Sequence, residues 1–85
     1  MNYTVTWSEF AEPELAIVWL DAPDRNAVTA ASAQADRLLA ESPFLVGQSH
    51  GSTVCRLAYF GPLGIIFDII EDDKKVIVQT CWRVG

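Results

Sequence analysis

The chain has 85 residues, of which 51% are hydrophobic, and its formal net charge is −5. This length predicts one small domain, residues 1–85, with a single core, and it excludes a separate regulatory domain. The acidic charge argues against a broad nucleic-acid surface, because phosphate backbones are bound through Lys and Arg. The N-terminus does not resemble a signal peptide and no apolar run is long enough to span a bilayer. We therefore expect a cytoplasmic protein without a membrane segment.

The first 20 residues predict a strand and a helix. The segment NYTVTW alternates and predicts a half-buried strand whose inner face carries Tyr3, Val5 and Trp7. Ser8 is a candidate N-cap for the first helix. This helix either begins at Ser8 and bends at Pro13, or begins at Glu12 with Pro13 in its first position. In ELAIVWL, helical spacing places three apolar residues together: Leu15, Val18 and Trp19.

A second helix is predicted in RNAVTAASAQADRLLAES, with Asp24 as its N-cap. Pro43 ends it, because a residue before proline is pushed out of the helical region. The residues on its buried stripe are Val28, Ala31, Ala35, Leu38, Leu39 and, at the end, Ser42. Since only a few residues separate the two helices, they predict an antiparallel helical hairpin.

The second half of the chain predicts strands. A short extra strand is a candidate near residues 44–48, and GQSHGST is predicted to be a loop. VCRLAYF, IIFDII and VIVQTCW are predicted strands, separated by GPLG as a turn or bulge and by EDDKK as a polar turn. The order β-α-α-β-β-β predicts an α+β domain in which a helical hairpin packs on one face of a mainly antiparallel sheet.

This order, with the segments YTVTWS, IVWLDAPDRNAVTAASAQADRLLAESP and RLAYFGPLGIIFDIIEDDKKVIVQTCWR, resembles the RelE/ParE family of toxins from bacterial type II toxin–antitoxin, or plasmid stabilisation, modules. The resemblance covers nearly the whole chain. It implies the RelE/ParE-like α+β fold, and it implies a cognate antitoxin protein that wraps the toxin and holds it inactive.

The resemblance leaves the activity open. RelE-like members cleave mRNA on the ribosome, whereas ParE-like members inhibit DNA gyrase without that chemistry. A non-toxic interaction module is a third alternative. The apolar segment PLGIIF predicts exposed hydrophobic surface on the sheet, which an antitoxin segment or a second copy of the chain, as a homodimer, would cover.

Metal-independent RNA cleavage needs a base, an acid and cations around one phosphate. By resemblance, Arg83 in CWR matches the arginine near the end of the family's last strand, and Arg56 is the candidate for a basic position on an earlier strand. His50 is a third candidate, as a general base. The family's next arginine aligns with Gly64, and the printed sequence ends at Gly85 without the family's C-terminal acid–base residue. The resemblance therefore implies a depleted endoribonuclease site.

Strand alternation places each arginine on a predicted face. Arg56 shares its face with Val54, Ala58 and Phe60. Arg83 shares its face with Ile77, Gln79 and Cys81. The structural alternative for both arginines is a strand end or an ion pair with a carboxylate such as Asp68.

The other chemically active residues favour structural interpretations. Cys55 and Cys81 are 26 positions apart and are expected to be reduced, and with His50 they lack the spacing of a zinc site. We expect no cofactor and no metal. The three tryptophans are interpreted as packing residues, and Trp82, near the end of the last strand, is also a candidate anchor for a partner helix.

Overall fold

The computed structural model describes residues 2–84, which form two helices packed on one face of a five-stranded sheet. Neither described helix is long and apolar enough to cross a membrane. The strand order is β1-β5-β4-β3-β2, with β1 parallel to β5 and every other pair antiparallel. The elements are β1 (Thr4–Trp7), α1 (Ala11–Asp21), α2 (Arg25–Glu41), a 3-10 turn (Pro43–Leu45), β2 (Gln48–Ser49), β3 (Cys55–Phe60), β4 (Leu63–Ile70) and β5 (Lys75–Arg83).

The start of α1 lies between the two predicted alternatives, because the helix begins at Ala11 and Pro13 is its third residue. The Ser8 hydroxyl accepts hydrogen bonds from the backbone N–H groups of Phe10 and Ala11, and the Ser8 carbonyl accepts one from Glu12. Pro13 lies in the first turn, where a backbone N–H has no helical acceptor. The helix therefore needs no bend at this proline.

The start of α2 confirms the predicted N-cap, since the Asp24 carboxylate accepts a hydrogen bond of 3.2 Å from the Ala27 N–H. The helix buries most of the predicted stripe but leaves Ser42 exposed. Trp19 of α1 was placed with the core residues, and this is wrong. Its ring is 39% exposed, its Nε1 donates to the Thr29 hydroxyl, and the Arg25 guanidinium stacks over it.

Several boundaries of the second half differ from the prediction. The extra strand exists but lies at Gln48–Ser49, inside the segment predicted as loop, and a 3-10 turn precedes it. The turn after β3 is shorter than GPLG, because Leu63 and Gly64 already pair in β4. β5 begins at Lys75, one residue earlier than predicted.

A bulge in β5 changes which residues share a face. Ile66 pairs with Thr80 while Phe67 pairs with Val78, so Gln79 is the extra residue. Cys81 and Arg83 pair with the core residues Ile65 and Leu63, on the helix side. The prediction that Arg83 shares a face with Ile77 and Gln79 is therefore wrong, whereas its shared face with Cys81 is correct.

The core lies between the helices and the sheet. Phe67, at the centre of β4, is fully buried, and Val78 of β5 beside it is also fully buried. The small residues Ala31 and Ala35 let α2 approach the sheet closely. The other core residues are Ala11, Val18, Val28, Leu39, Ala58, Phe60, Leu63, Ile65, Ile69, Val76 and Cys81.

Candidate functional site

The sheet surface opposite the helices is the candidate site, and we call it the open face. Strand register assigns to it the residues that alternate with the core positions. Those on the three central strands are Cys55, Leu57, Tyr59, Gly64, Ile66, Asp68, Ile70, Lys75, Ile77, Thr80 and Trp82, together with Gln79 in the bulge. Most of them are half-buried or exposed although no helix covers them.

An aromatic pair forms one end of the open face. Tyr59, Gly64 and Trp82 lie side by side on β3, β4 and β5, and the two rings meet edge to face with centroids 6.3 Å apart. Gly64 makes this possible, since a Cβ added there would lie 2.6 Å from Cε2 of the Trp82 ring. The indole thus covers the position at which the resemblance predicted a missing arginine. Tyr59 is 58% exposed and available to a partner.

A polar cluster occupies the other end of the open face. The Gln79 amide donates a hydrogen bond of 2.9 Å to the Asp68 carboxylate, and Cys55 lies opposite Asp68 in the register. Partial burial raises the pKa of the Cys55 thiol, and the hydrogen bond to Asp68 raises it further. A thiol that holds its proton is a weak nucleophile, so this cluster is suited to hydrogen bonding and not to covalent chemistry.

Arg56 is held by the backbone around β2. Its side chain donates hydrogen bonds of 2.9 Å and 3.0 Å to the carbonyl oxygens of Val46 and Gly47. It pairs with Phe67 and shares the helix side of β3 with Ala58 and Phe60, as predicted. These contacts fix the chain that leads from the 3-10 turn into β2.

Arg83 and His50 lie at different corners of the sheet. Arg83 is exposed at the end of β5, whereas the His50 N–H donates to the Cys55 carbonyl at the β2–β3 edge. Arg56 and Arg83 are four residues apart along the strands and two strands apart across the sheet. Strand geometry then puts their Cα atoms roughly 16 Å apart. The structure brings Arg56 and His50 to one end of the sheet and leaves Arg83 at the other.

The open face itself carries little positive charge. Three cations lie on the central strands, at Arg56, Lys75 and Arg83. The register places Lys75 on the open face, opposite Ile70, and the two arginines on the helix side. The position of Lys75 at the turn end of β4 and β5 is remote from the aromatic pair. Sequence reasoning did not identify the cluster of Asp68 and Gln79, because the pairing of β4 with β5 that sets Asp68 opposite Ile77, next to Gln79, has no signal in the sequence.

Replacing Arg56 with Ala tests its structural role. The two hydrogen bonds from a charged donor to backbone carbonyls are expected to contribute about 1–2 kcal/mol, which the substitution removes from the free energy of unfolding. Urea unfolding followed by circular dichroism measures this loss. Arg37→Ala, at an exposed position of α2, is the matched control and is expected to change stability by less than about 0.5 kcal/mol. Equal effects of both substitutions would contradict the anchoring role.

Comparison with known proteins identifies the fold. No family model matches the chain, and no curated protein sequence matches it. A chain of the RelBE2 toxin–antitoxin complex from Mycobacterium tuberculosis superposes with a TM-score of 0.79, 18% identity and coverage of 98% of this chain and 99% of that one. A chain of the chromosomal ParDE toxin–antitoxin system from P. aeruginosa superposes with a TM-score of 0.72, 12% identity and coverage of 98% and 97%. These similarities confirm the predicted RelE/ParE-like fold.

Proposed function

We propose that this chain, which has the RelE/ParE-like fold, is the toxin component of a type II toxin–antitoxin module with a cognate antitoxin as its partner. The observation that carries the proposal is the match of the whole fold to chains of two toxin–antitoxin complexes, with 98% of this chain covered in each. Because one fold can host several activities, the mode of action rests on the site itself.

We propose further that the toxin acts by binding a macromolecular target without cleaving RNA. Cleavage requires its cations and its acid–base groups around a single phosphate, within hydrogen-bond reach. Arg56 and Arg83 both lie on the helix side of the sheet, roughly 16 Å apart by strand geometry, and Arg56 already donates to two backbone carbonyls. This arrangement supports a binding role over a catalytic one.

The exposed aromatic end of the open face supplies the binding surface. Tyr59 and Trp82 present large, partly buried rings that lose little side-chain entropy on contact, and such residues dominate the energetics of protein interfaces. A protein target such as DNA gyrase suits this surface. Ribosome-dependent mRNA cleavage by Arg83, Arg56 and His50 is the competing proposal.

Induced expression in a bacterial host separates these modes. The double variant Arg83→Ala/His50→Ala removes two predicted catalytic residues and leaves the Arg56 bonds intact, so growth arrest is expected to persist. Tyr59→Ala removes an interface anchor, which typically costs about 2 kcal/mol, or roughly 30-fold in target affinity, so arrest is expected to weaken. Phe44→Ala, at an exposed aromatic residue away from the open face, is the matched control and should leave arrest unchanged.

Two outcomes would count against the proposal. Loss of arrest in a folded Arg83→Ala/His50→Ala variant would favour RNA cleavage, and mapping of cut sites in cellular mRNA would then follow. No arrest with the wild-type chain would reject the toxin assignment and favour a non-toxic interaction module. Circular dichroism of each purified variant shows whether it has kept the fold.

A further inference from the structure

A groove runs along α1 beside the last residues of β5, on the helix side of the sheet. We call it the α1 groove. Its lining includes Glu14, Ile17, Asp21, Cys81, Trp82 and Arg83. It lies on the helix side, where the register places Cys81 and Arg83, and it shares only Trp82, at the end of β5, with the open face.

The outer surface of α1 exposes an unusual amount of apolar side chain. Ile17 is 59% exposed and Leu20 is 57% exposed, and Phe10, just before the helix, is 67% exposed. These residues leave the helix apolar on both its inner and its outer side. Exposed apolar side chains next to charged ones are typical of an interaction site, and Ile17 is the one of these three that lines the groove.

The charge of the N-terminal segment that contains α1 is one-sided. Residues 1–24 contain five carboxylates and no Lys, Arg or His: Glu9, Glu12, Glu14, Asp21 and Asp24. Glu14 and Asp21 line the groove directly. Arg83 is the cation at its far end, and Arg25 stacks on Trp19 while donating to the Leu20 carbonyl. An acidic rim over an apolar floor complements a partner with basic and apolar side chains.

The edge of β5 beside the groove is not covered by β1. β1 ends at Trp7, opposite Val78. The next residue, Ser8, donates a hydrogen bond from its N–H to the Val78 carbonyl and one from its hydroxyl to the Gln79 carbonyl. Beyond Ser8, the Glu14 carboxylate lies against the edge of β5. It accepts a hydrogen bond of 2.9 Å from the Thr80 hydroxyl and one of 3.4 Å from the Cys81 N–H. A carboxylate placed against a strand edge blocks pairing until a better partner displaces it.

We propose that the α1 groove binds a positively charged, extended segment of a partner protein, which adds to the free edge of β5 at Cys81 and Arg83. In this complex a partner carbonyl accepts the Cys81 N–H, and the released Glu14 carboxylate pairs with a partner Lys or Arg. Asp21 supplies the second acidic contact, and apolar partner residues cover Ile17 and Leu20. This inference goes beyond the proposed target-binding face, because it concerns a second surface and a stated partner charge.

Peptide binding to the purified chain tests the proposal. The probe is the peptide SRVTVRVS, and its charge-inverted counterpart is SEVTVEVS. With nitrogen-15-labelled protein, the basic peptide is expected to shift the amide signals of Ile17, Leu20, Cys81 and Arg83, and the acidic peptide is expected to shift none of them. Growth arrest is not part of the readout, so the result stands whether or not the chain is toxic.

Charge neutralisation supplies the decisive comparison. Glu14→Gln/Asp21→Asn keeps an oxygen acceptor for Thr80 and Cys81 and is expected to weaken binding of the basic peptide by about tenfold, since it removes two ion pairs. Asp72→Asn/Asp73→Asn makes the same change in net charge within the β4–β5 turn and is expected to weaken binding by less than about twofold. The proposal would be overturned if both variants weakened binding equally or if both peptides bound equally well. It would also be overturned if the basic peptide did not bind, or if it shifted only the signals of other residues. Shift of the same signals by a single-stranded RNA oligonucleotide would also overturn it.

Discussion

Gly47→Ala is expected to lower the free energy of unfolding by about 3 kcal/mol or more. Gly47 has a φ of 66°, in the left-handed region that disfavours a side chain. A Cβ added there would lie 2.1 Å from the Leu57 carbonyl oxygen and 2.8 Å from the Ala58 Cβ. The first of these atoms is backbone of β3 and cannot rotate away, so the β2–β3 hairpin would have to shift.

Gly51→Ala is the matched control for this substitution. Gly51 also has a positive φ, 83°, but no atom lies within 4 Å of an added Cβ. Gly51→Ala therefore introduces only the backbone strain of a positive φ, about 1–2 kcal/mol, and no steric clash. Urea unfolding of both variants measures the difference, which is the steric part. Equal losses in the two variants would show that the close approach of Gly47 to β3 contributes nothing.

Stability is expected to fall between about pH 9 and pH 11 because of Cys81. Burial, and secondly the nearby Glu14 carboxylate, raise the pKa of the Cys81 thiol from 9.0 to about 11. A pKa raised on folding means that the folded state holds its proton more tightly. The stabilisation that the protonated Cys81 thiol contributes is present in full below pH 9 and is lost as the pH rises toward 11. For a shift of this size, the free energy of unfolding falls by roughly 3 kcal/mol.

Cys81→Ala removes this titration and serves as the control. The measurement is the change in unfolding free energy between about pH 8 and pH 11 for each protein, which cancels the packing lost on substitution. Wild type is expected to show the steeper fall. Hydrogen bonds with Glu71 also raise the pKa values of Tyr3 and Lys74, so some alkaline loss of stability remains in the variant. Identical falls in both proteins would contradict the role of Cys81.

The aromatic end of the open face occupies a position at which the resemblance to cleaving members predicted a cation. Gly64 stands where an arginine was expected by resemblance, and the Trp82 ring occupies the space above it. Restoring a cation by Gly64→Arg would displace the indole, because even a Cβ approaches the ring to 2.6 Å. The exchange of a cation for an aromatic surface is consistent with the proposed change from phosphate chemistry to protein binding.

The sequence by itself determined the α+β class, the helical hairpin, the Asp24 cap and the alternation that buries Val5 and Trp7 against the core. These features follow from local periodicity and capping, which neighbouring residues encode. The boundaries of β2 and β4 were less accurate, because pairing with β3 decides where they begin. Trp19 was misplaced because contacts across the helical hairpin, with Thr29 and Arg25, hold its ring at the surface.

The candidate site depended on the tertiary structure. Alternation along β5 predicted one face for Ile77, Gln79 and Arg83, but the bulge at Gln79 reverses the phase for the rest of the strand. A bulge arises from pairing between strands, so no pattern within β5 reveals it. Resemblance could nominate Arg56, Arg83 and His50 one at a time. Only the register of the assembled sheet decided that the two arginines lie far apart, because distances between strands are fixed by pairing and not by order along the chain.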